Sequence, residues 1–141
     1  MVCCGEEMIE LKPGVSDGAV EKHLPVVEKT GECSVKVKVG SMPHPMMPNH
    51  HIVFIYLETE HGGQLRYLNV PDGAEAVFCT CEDKPVAAYA FCNLHGLWKT
   101  DLAGLFKDQV CCKDQKDQQC CKDQQSACNI KGGCEPDNEC C

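Results

Sequence analysis

Between residues 34 and 39 the chain alternates strictly: Ser34-Val35-Lys36-Val37-Lys38-Val39. A period of two puts the three valines on one face of an extended strand and the lysines on the other. Residues 51–57, His-Ile-Val-Phe-Ile-Tyr-Leu, are apolar on both faces, as in a central strand. Residues 64–70 follow a His61-Gly62-Gly63 turn, which predicts a hairpin. Residues 74–81 and 85–91 are two more strand-like runs, joined through Glu82-Asp83-Lys84, and Pro25-Val26-Val27 is a short one. Six or seven short strands separated by turn signals predict an all-β fold, an antiparallel β-sandwich.

This pattern occupies residues 21–100, a body large enough to bury a core without staples. Residues 1–20 form a leader with Cys3-Cys4-Gly5 and the turn residues Pro13, Gly14, Asp17 and Gly18. Residues 101–141 form a polar, cysteine-rich tail. The tail nearly repeats itself, with Cys-Cys-Lys-Asp-Gln at 111–115 and again at 120–124. It has little to bury, so disorder or weak helix is expected unless metal or disulfides order it.

Charge and cysteine content narrow the function. A net charge of -8 with scattered Lys and Arg excludes a phosphate-backbone binder, so nucleic acid is not an expected partner. Met1 is followed by no basic start and no apolar run, so no signal peptide is expected. No stretch approaches the roughly 20 apolar residues of a membrane span. The expectation is a soluble, cytoplasmic protein. Fourteen cysteines in a reducing compartment read as metal ligands or redox groups rather than as a disulfide framework. Eight of them fall in the tail, at 111, 112, 120, 121, 128, 134, 140 and 141.

All six histidines lie in the body, at 23, 44, 50, 51, 61 and 95. Cys92-Asn93-Leu94-His95-Gly96 follows an apolar run, so a strand ends in Cys-x-x-His. A thiolate and an imidazole can then meet at one point, and Gly96 lets the backbone turn close by. The bland reading is a buried Cys and a surface His. His44-Pro45-Met46-Met47-Pro48-Asn49-His50-His51 is a loop on its prolines and Asn, with two imidazoles six residues apart. Alone, it reads as a surface loop with incidental histidines. Glu21-Lys22-His23-Leu24-Pro25 reads in isolation as an exposed loop entering a strand. Together, four histidines and one cysteine from three loops suit a first-row metal with mixed nitrogen and sulfur ligands.

These segments also resemble the superoxide reductase family, which includes neelaredoxin and the catalytic domain of desulfoferrodoxin. The matching motifs are Glu21-Lys22-His23-Leu24-Pro25, Val39-Gly40-Ser41-Met42-Pro43-His44-Pro45-Met46, His50-His51-Ile52 and Cys92-Asn93-Leu94-His95-Gly96-Leu97-Trp98. They cover about residues 19–100 in the family's order and spacing. The resemblance implies a seven-stranded immunoglobulin-like sandwich. It implies one non-haem iron, Fe2+/Fe3+, with His23, His44, His50 and His95 in a plane and Cys92 on the axis. It implies one-electron reduction of superoxide to hydrogen peroxide, with a rubredoxin-like electron donor. Lys22, on the loop over the site, is then the group expected to attract the anion and assist protonation, and Glu21 is the candidate sixth ligand of the oxidised state. Four neutral imidazoles, one thiolate and a divalent ion leave one positive charge at the centre, a local attraction within an acidic protein. A homo-oligomer, dimer or tetramer, is expected.

The chain departs from the family at both ends. Val2-Cys3-Cys4-Gly5-Glu6-Glu7-Met8 resembles the last part of desulfoferrodoxin's small N-terminal iron domain, without its first Cys-x-x-Cys. Two thiolates do not close a tetrahedral site, so that centre is expected to be missing in the monomer. The tail cysteines leave an additional iron–sulfur cluster, another metal such as zinc, or disulfides open, and no spacing among them is a cluster signature. The rival readings are a cupredoxin-like electron-transfer protein and a metal-storage protein. Against the first, no Met follows His95 closely; neither explains Glu21-Lys22 beside His23. His51 is expected to turn away from His50, and His61 to be solvated in its turn.

Overall fold

The structure, a computed structural model, describes residues 1–106 except 16, 32, 81 and 82. The tail cysteines, their repeat and the expected tail disorder therefore lie outside the described residues. A small hairpin comes first, β1 (Val2–Cys3) and β2 (Glu6–Glu7), followed by one helical turn, α1 (Val20–His23). Seven strands then build the body: β3 (Pro25–Lys29), β4 (Ser34–Val39), β5 (Ile52–Thr59), β6 (Gly62–Tyr67), β7 (Glu75–Cys79), β8 (Pro85–Cys92) and β9 (Gly96–Asp101). One sheet has the order β3-β4-β7 and the other β6-β5-β8-β9. All the pairings are antiparallel. This is the expected seven-stranded sandwich.

The alternation of β4 does what its period predicts. Val35, Val37 and Val39 are buried, sharing one core with Phe78 of the neighbouring strand β7 and with Ile52, Ile55, Leu57, Ala88, Ala90 and Leu102. Its lysines leave the core and pair across strands, Lys36 with Glu75 at 2.6 Å and Lys38 with Glu28 at 2.7 Å. Such exposed pairs contribute little to stability, so the valines carry this strand. In β5, Ile52 and Ile55 are both buried although three residues apart. A register shift between Ile52 and Phe54 makes this possible, because a bulge resets which side faces inward. The outer face of β5 is covered by rings, with Phe54 stacked on Phe91 at 5.4 Å and Tyr56 beside Tyr89 at 5.8 Å. That ladder is why the segment is apolar on both faces.

Three elements differ from the sequence reading. The Glu21-Lys22-His23 segment is one turn of helix rather than an exposed loop, and its His23 is buried. Strand β6 stops at Tyr67, short of residue 70. Strand β9 was not anticipated, and the core continues through Leu102, with Phe106 packed against it.

The registers bring five chain segments to one end of the sandwich. Pro25, two residues after His23, pairs with Val39, which opens the loop carrying His44 and His50. That loop ends at Ile52, which pairs with Cys92, and Cys92 pairs with Gly96. The Thr100 hydroxyl to Pro25 O at 2.7 Å ties the two sheets here, and Gly40 N–H to Leu24 O at 2.9 Å extends the β3–β4 pairing toward the site.

Candidate metal centre

Four imidazole rings stand at the corners of a near-square. Neighbouring centroids are 4.8 Å apart for His23–His44, 4.6 Å for His44–His50, 5.0 Å for His50–His95 and 4.6 Å for His95–His23. The His23–His50 diagonal is 6.3 Å. Neighbouring rings meet edge to face, at 70° to 78°. Cys92 is fully buried, and its Sγ lies 3.6 Å from His95 Nδ1. One ligating atom from each of the five residues falls within a span of 4.8 Å.

The local backbone explains how each ring is aimed. His23 Nδ1 is 2.7 Å from Ala19 O, four residues back along α1. His44 Nδ1 is 2.7 Å from Pro45 O. A carbonyl can only accept, so both Nδ1 atoms carry the hydrogen and both Nε2 atoms keep a lone pair. Those two Nε2 atoms, and that of His50, are buried without a hydrogen-bond partner. Burial is the first cause holding His44 down, from 6.5 to about 4, with the other three imidazoles adding to it against the Pro45 hydrogen bond. Burial also lowers His50, followed by the fields of His95, His23, His51 and Lys22. Near neutral pH both are neutral donors.

An orphaned buried nitrogen costs about 1–3 kcal/mol, and three aimed at one point call for an occupant that accepts lone pairs. Four nitrogens and one thiolate exceed the four ligands of a structural zinc site. They also exceed the two histidines and one cysteine of a blue-copper site. The donor set fits a mononuclear iron with mixed ligation.

Glu21 and Lys22 ride on the same helical turn as His23, both exposed. Glu21 O accepts from Ser41 N–H at 2.9 Å and from the Ser41 hydroxyl at 3.1 Å. Gly40 has φ +83, and a Cβ there would come within 2.6 Å of Lys22 O. The turn is thus clamped to the loop that carries His44. Gly96 has φ +70, the left-handed turn that lets β9 start directly after His95.

The two remaining histidines lie outside the square. His51 Nδ1–H donates to Met47 O at 3.1 Å, and His61 pairs with Asp83 at 3.0 Å while staying exposed. Cys3 and Cys4 sit exposed on the β1–β2 turn, with Sγ atoms 3.8 Å apart. Sequence reasoning gave Asn93, Trp98 and Gly18 no role of their own. Asn93 ties the two ligand loops together, accepting from His51 N–H at 2.9 Å and donating to Asn49 O at 3.1 Å. Its place between Cys92 and His95 was the available signal.

Residues 15–101 match the family model described as Desulfoferrodoxin. The chain is 48% identical over 101 residues to the desulfoferrodoxin of Nitratidesulfovibrio vulgaris, covering 72% of this chain and 79% of that one. It is 35% identical over 99 residues to the superoxide reductase of Pyrococcus horikoshii, covering 58% and 86%. Among solved structures it resembles the superoxide reductase from Treponema pallidum, with TM-score 0.66, 46% identity, and coverage of 71% of this chain and 84% of that one.

Proposed function

This chain belongs to the desulfoferrodoxin family, and from that membership we propose the working of its site: a superoxide reductase that takes superoxide to hydrogen peroxide by one electron. The observation that carries the reading is the square of four imidazoles, three of which, His23, His44 and His50, have buried Nε2 atoms without a hydrogen-bond partner, with the Cys92 thiol beside it. His23, His44, His50, His95 and Cys92 hold a mononuclear iron. Bound there, the iron supplies the one-electron couple, with the Cys92 thiolate as its electron-rich ligand.

The remaining roles belong to the chain. Burial keeps His44 and His50 uncharged, so their lone pairs face the centre at neutral pH. Lys22 contributes a positive field that reaches His50, in a protein of net charge -8. That field raises the local concentration of an anionic substrate and places a proton source near it. The clamp of Glu21 O to Ser41 holds the turn against the His44 loop, and the Glu21 side chain, exposed on that turn, is the candidate for an exchangeable sixth ligand.

The wider proposal has four parts. The donor is a small rubredoxin-like carrier, consistent with a small, transient contact. The chain assembles as a homodimer or homotetramer. It works in the cytoplasm; no described helix is long and apolar enough to cross a membrane. The reductase unit is residues 21–100, between leader and tail, and the burial of Leu102 with Phe106 packed against the core supports removing the tail after residue 106 rather than at 100.

Metal analysis of anaerobically purified protein, with pulse radiolysis of the reduced form, tests the core of this reading. One iron per chain and a fast second-order reaction with superoxide are expected. Iron-free protein, or iron-loaded protein inert to superoxide, overturns it.

A further inference from the structure

We infer that Trp98 is a positioning residue of this centre, fixing His23 and His95 relative to each other from outside the square, with Gly18 filling the corner behind them. The inference rests on the iron reading above and adds a residue to it. Trp98 is buried in β9, at 4% exposure. Its indole lies nearly parallel to the His23 ring, at 4.9 Å and 19°. Its Nε1–H donates to His95 O at 3.0 Å. One side chain therefore holds one ligand by its ring face and a second through its backbone.

Those two ligands come from different sheets. His23 leads into β3 of the three-stranded sheet, and His95 leads into β9 of the four-stranded one. They are neighbours in the square at 4.6 Å. The Thr100 hydroxyl on Pro25 O already ties the two sheets near this end, but it leaves the two imidazoles free to turn relative to each other. Trp98 removes that freedom: the stack limits rotation of the His23 ring, and the hydrogen bond limits movement of the loop that also carries Cys92. Positioning partners of this kind tune ligand orientation and metal affinity.

Gly18 shows how tightly the corner is built. A Cβ there would lie 2.9 Å from Trp98 Cζ2, 3.1 Å from His23 Cε1 and 3.1 Å from His95 Cβ. All three are side-chain atoms of this same group, and the nearest belongs to a stacked ring with little room to yield. The requirement is for space. Ala at this position must push the indole or one of the two imidazoles.

The test compares full-length, iron-loaded wild type with Trp98→Phe, Trp98→Leu and Gly18→Ala. Four quantities are read: the thiolate-to-iron charge-transfer band, the midpoint potential, the rate of iron loss to a chelator and Tm. Trp98→Leu should lose iron roughly 10–100-fold faster, with a shifted band and potential. Trp98→Phe keeps a ring face but no N–H, and should fall between. Gly18→Ala should move the band and potential in the direction of Trp98→Leu with the indole intact. A lower Tm with band, potential and iron loss unchanged in all three variants overturns the positioning role and leaves a core tryptophan. If Trp98→Leu does not fold, the other two variants decide in the same way. A wild type without iron overturns the site reading itself, an outcome distinguishable from the first.

Discussion

The two ends of the sandwich use the same side chain in opposite ways. At the end where β5 turns into β6, His61 meets a carboxylate, 3.0 Å from Asp83. Asp83 is satisfied in turn by the Thr59 hydroxyl and the His61 N–H. At the other end His23, His44, His50 and His95 are turned toward one another. His23 and His44 spend one nitrogen on a backbone carbonyl, and the Nε2 atoms of His23, His44 and His50 are buried with no partner. A histidine with a carboxylate is a closed local bond. Several histidines facing one another with lone pairs inward are an incomplete structure that needs a cation. The contrast separates a turn lock from a metal centre without reference to any relative.

Breaking the metal end at its single thiolate should have the largest effect. Cys92→Ser keeps the volume of a fully buried position nearly constant, so the strand pairing Cys92 with Ile52 and Gly96 should survive. The charge-transfer absorption should vanish, and the superoxide rate should fall by about a hundredfold or more, since losing a ligand exceeds the 10–100-fold typical of a supporting residue. An active, still coloured variant would sink the assignment.

Removing the metal tests whether the two ends differ in stability as their hydrogen bonding implies. Without iron, three orphaned nitrogens go uncompensated. A ligand present at a hundred times its Kd stabilises by about 2.7 kcal/mol. At roughly 4–8 °C per kcal/mol for a body of this size, Tm should drop by about 10–20 °C on chelation. Hydrogen exchange should speed up in residues 18–24, 40–51 and 92–98, and stay unchanged at Thr59 and His61. Uniform loosening at both ends would erase the comparison.

Much of this contrast was open to sequence reasoning, and some was not. The strict alternation of β4 fixed its inner face because a period of two leaves no other choice. The ligands were legible because Cys92-x-x-His95 and the prolines around His44 mark loops at strand ends, and the resemblance to superoxide reductases joined the segments. Helix α1 escaped notice because four residues are too short to show a helical period. Strand β9 was obscured because Gly96, Lys99 and Thr100 interrupt its apolar positions. The roles of Trp98 and Gly18 depend on a through-space corner, where residues 18, 23, 95 and 98 meet, and linear spacing says nothing about it. The Asp83–His61 lock was likewise invisible, since its partners are 22 residues apart.

Lys22 sharpens the comparison by asking whether the metal end is also electrically distinct. Lys22→Ala should leave iron content unchanged, because Lys22 is outside the ligand set. The superoxide rate should fall by about tenfold, at the low end of steering effects. In wild type, added salt should slow the reaction by screening the attraction, over a Debye length of about 10 Å at 0.1 M. In the variant the salt slope should flatten or reverse, because a net charge of -8 is less opposed. An unchanged rate and slope would assign the steering to the centre's own charge.

The smallest effect belongs to the far end, and its sign is fixed by Asp83. Burial alone would raise this carboxyl, but hydrogen bonds from Thr59 and His61 outweigh it and hold it below its ordinary 3.8. A group whose folded pKa is depressed stabilises the fold above its unfolded pKa, and that stability is lost as pH falls through the folded value. Asp83→Asn should therefore cost about 1 kcal/mol near neutral pH, modest because the side chain is still 28% exposed. This amounts to a Tm drop of about 4 °C at pH 7 that closes below pH 4 as wild-type Asp83 is protonated. Iron content, charge-transfer band and superoxide rate should not move, because His61 and Asp83 are outside the five-residue ligand group. Thermal melts from pH 3 to 7 beside the visible spectrum check both halves. A variant that shifts the spectrum would mean the two ends are coupled through β5 and β8, and the turn lock would then belong to the metal centre's support.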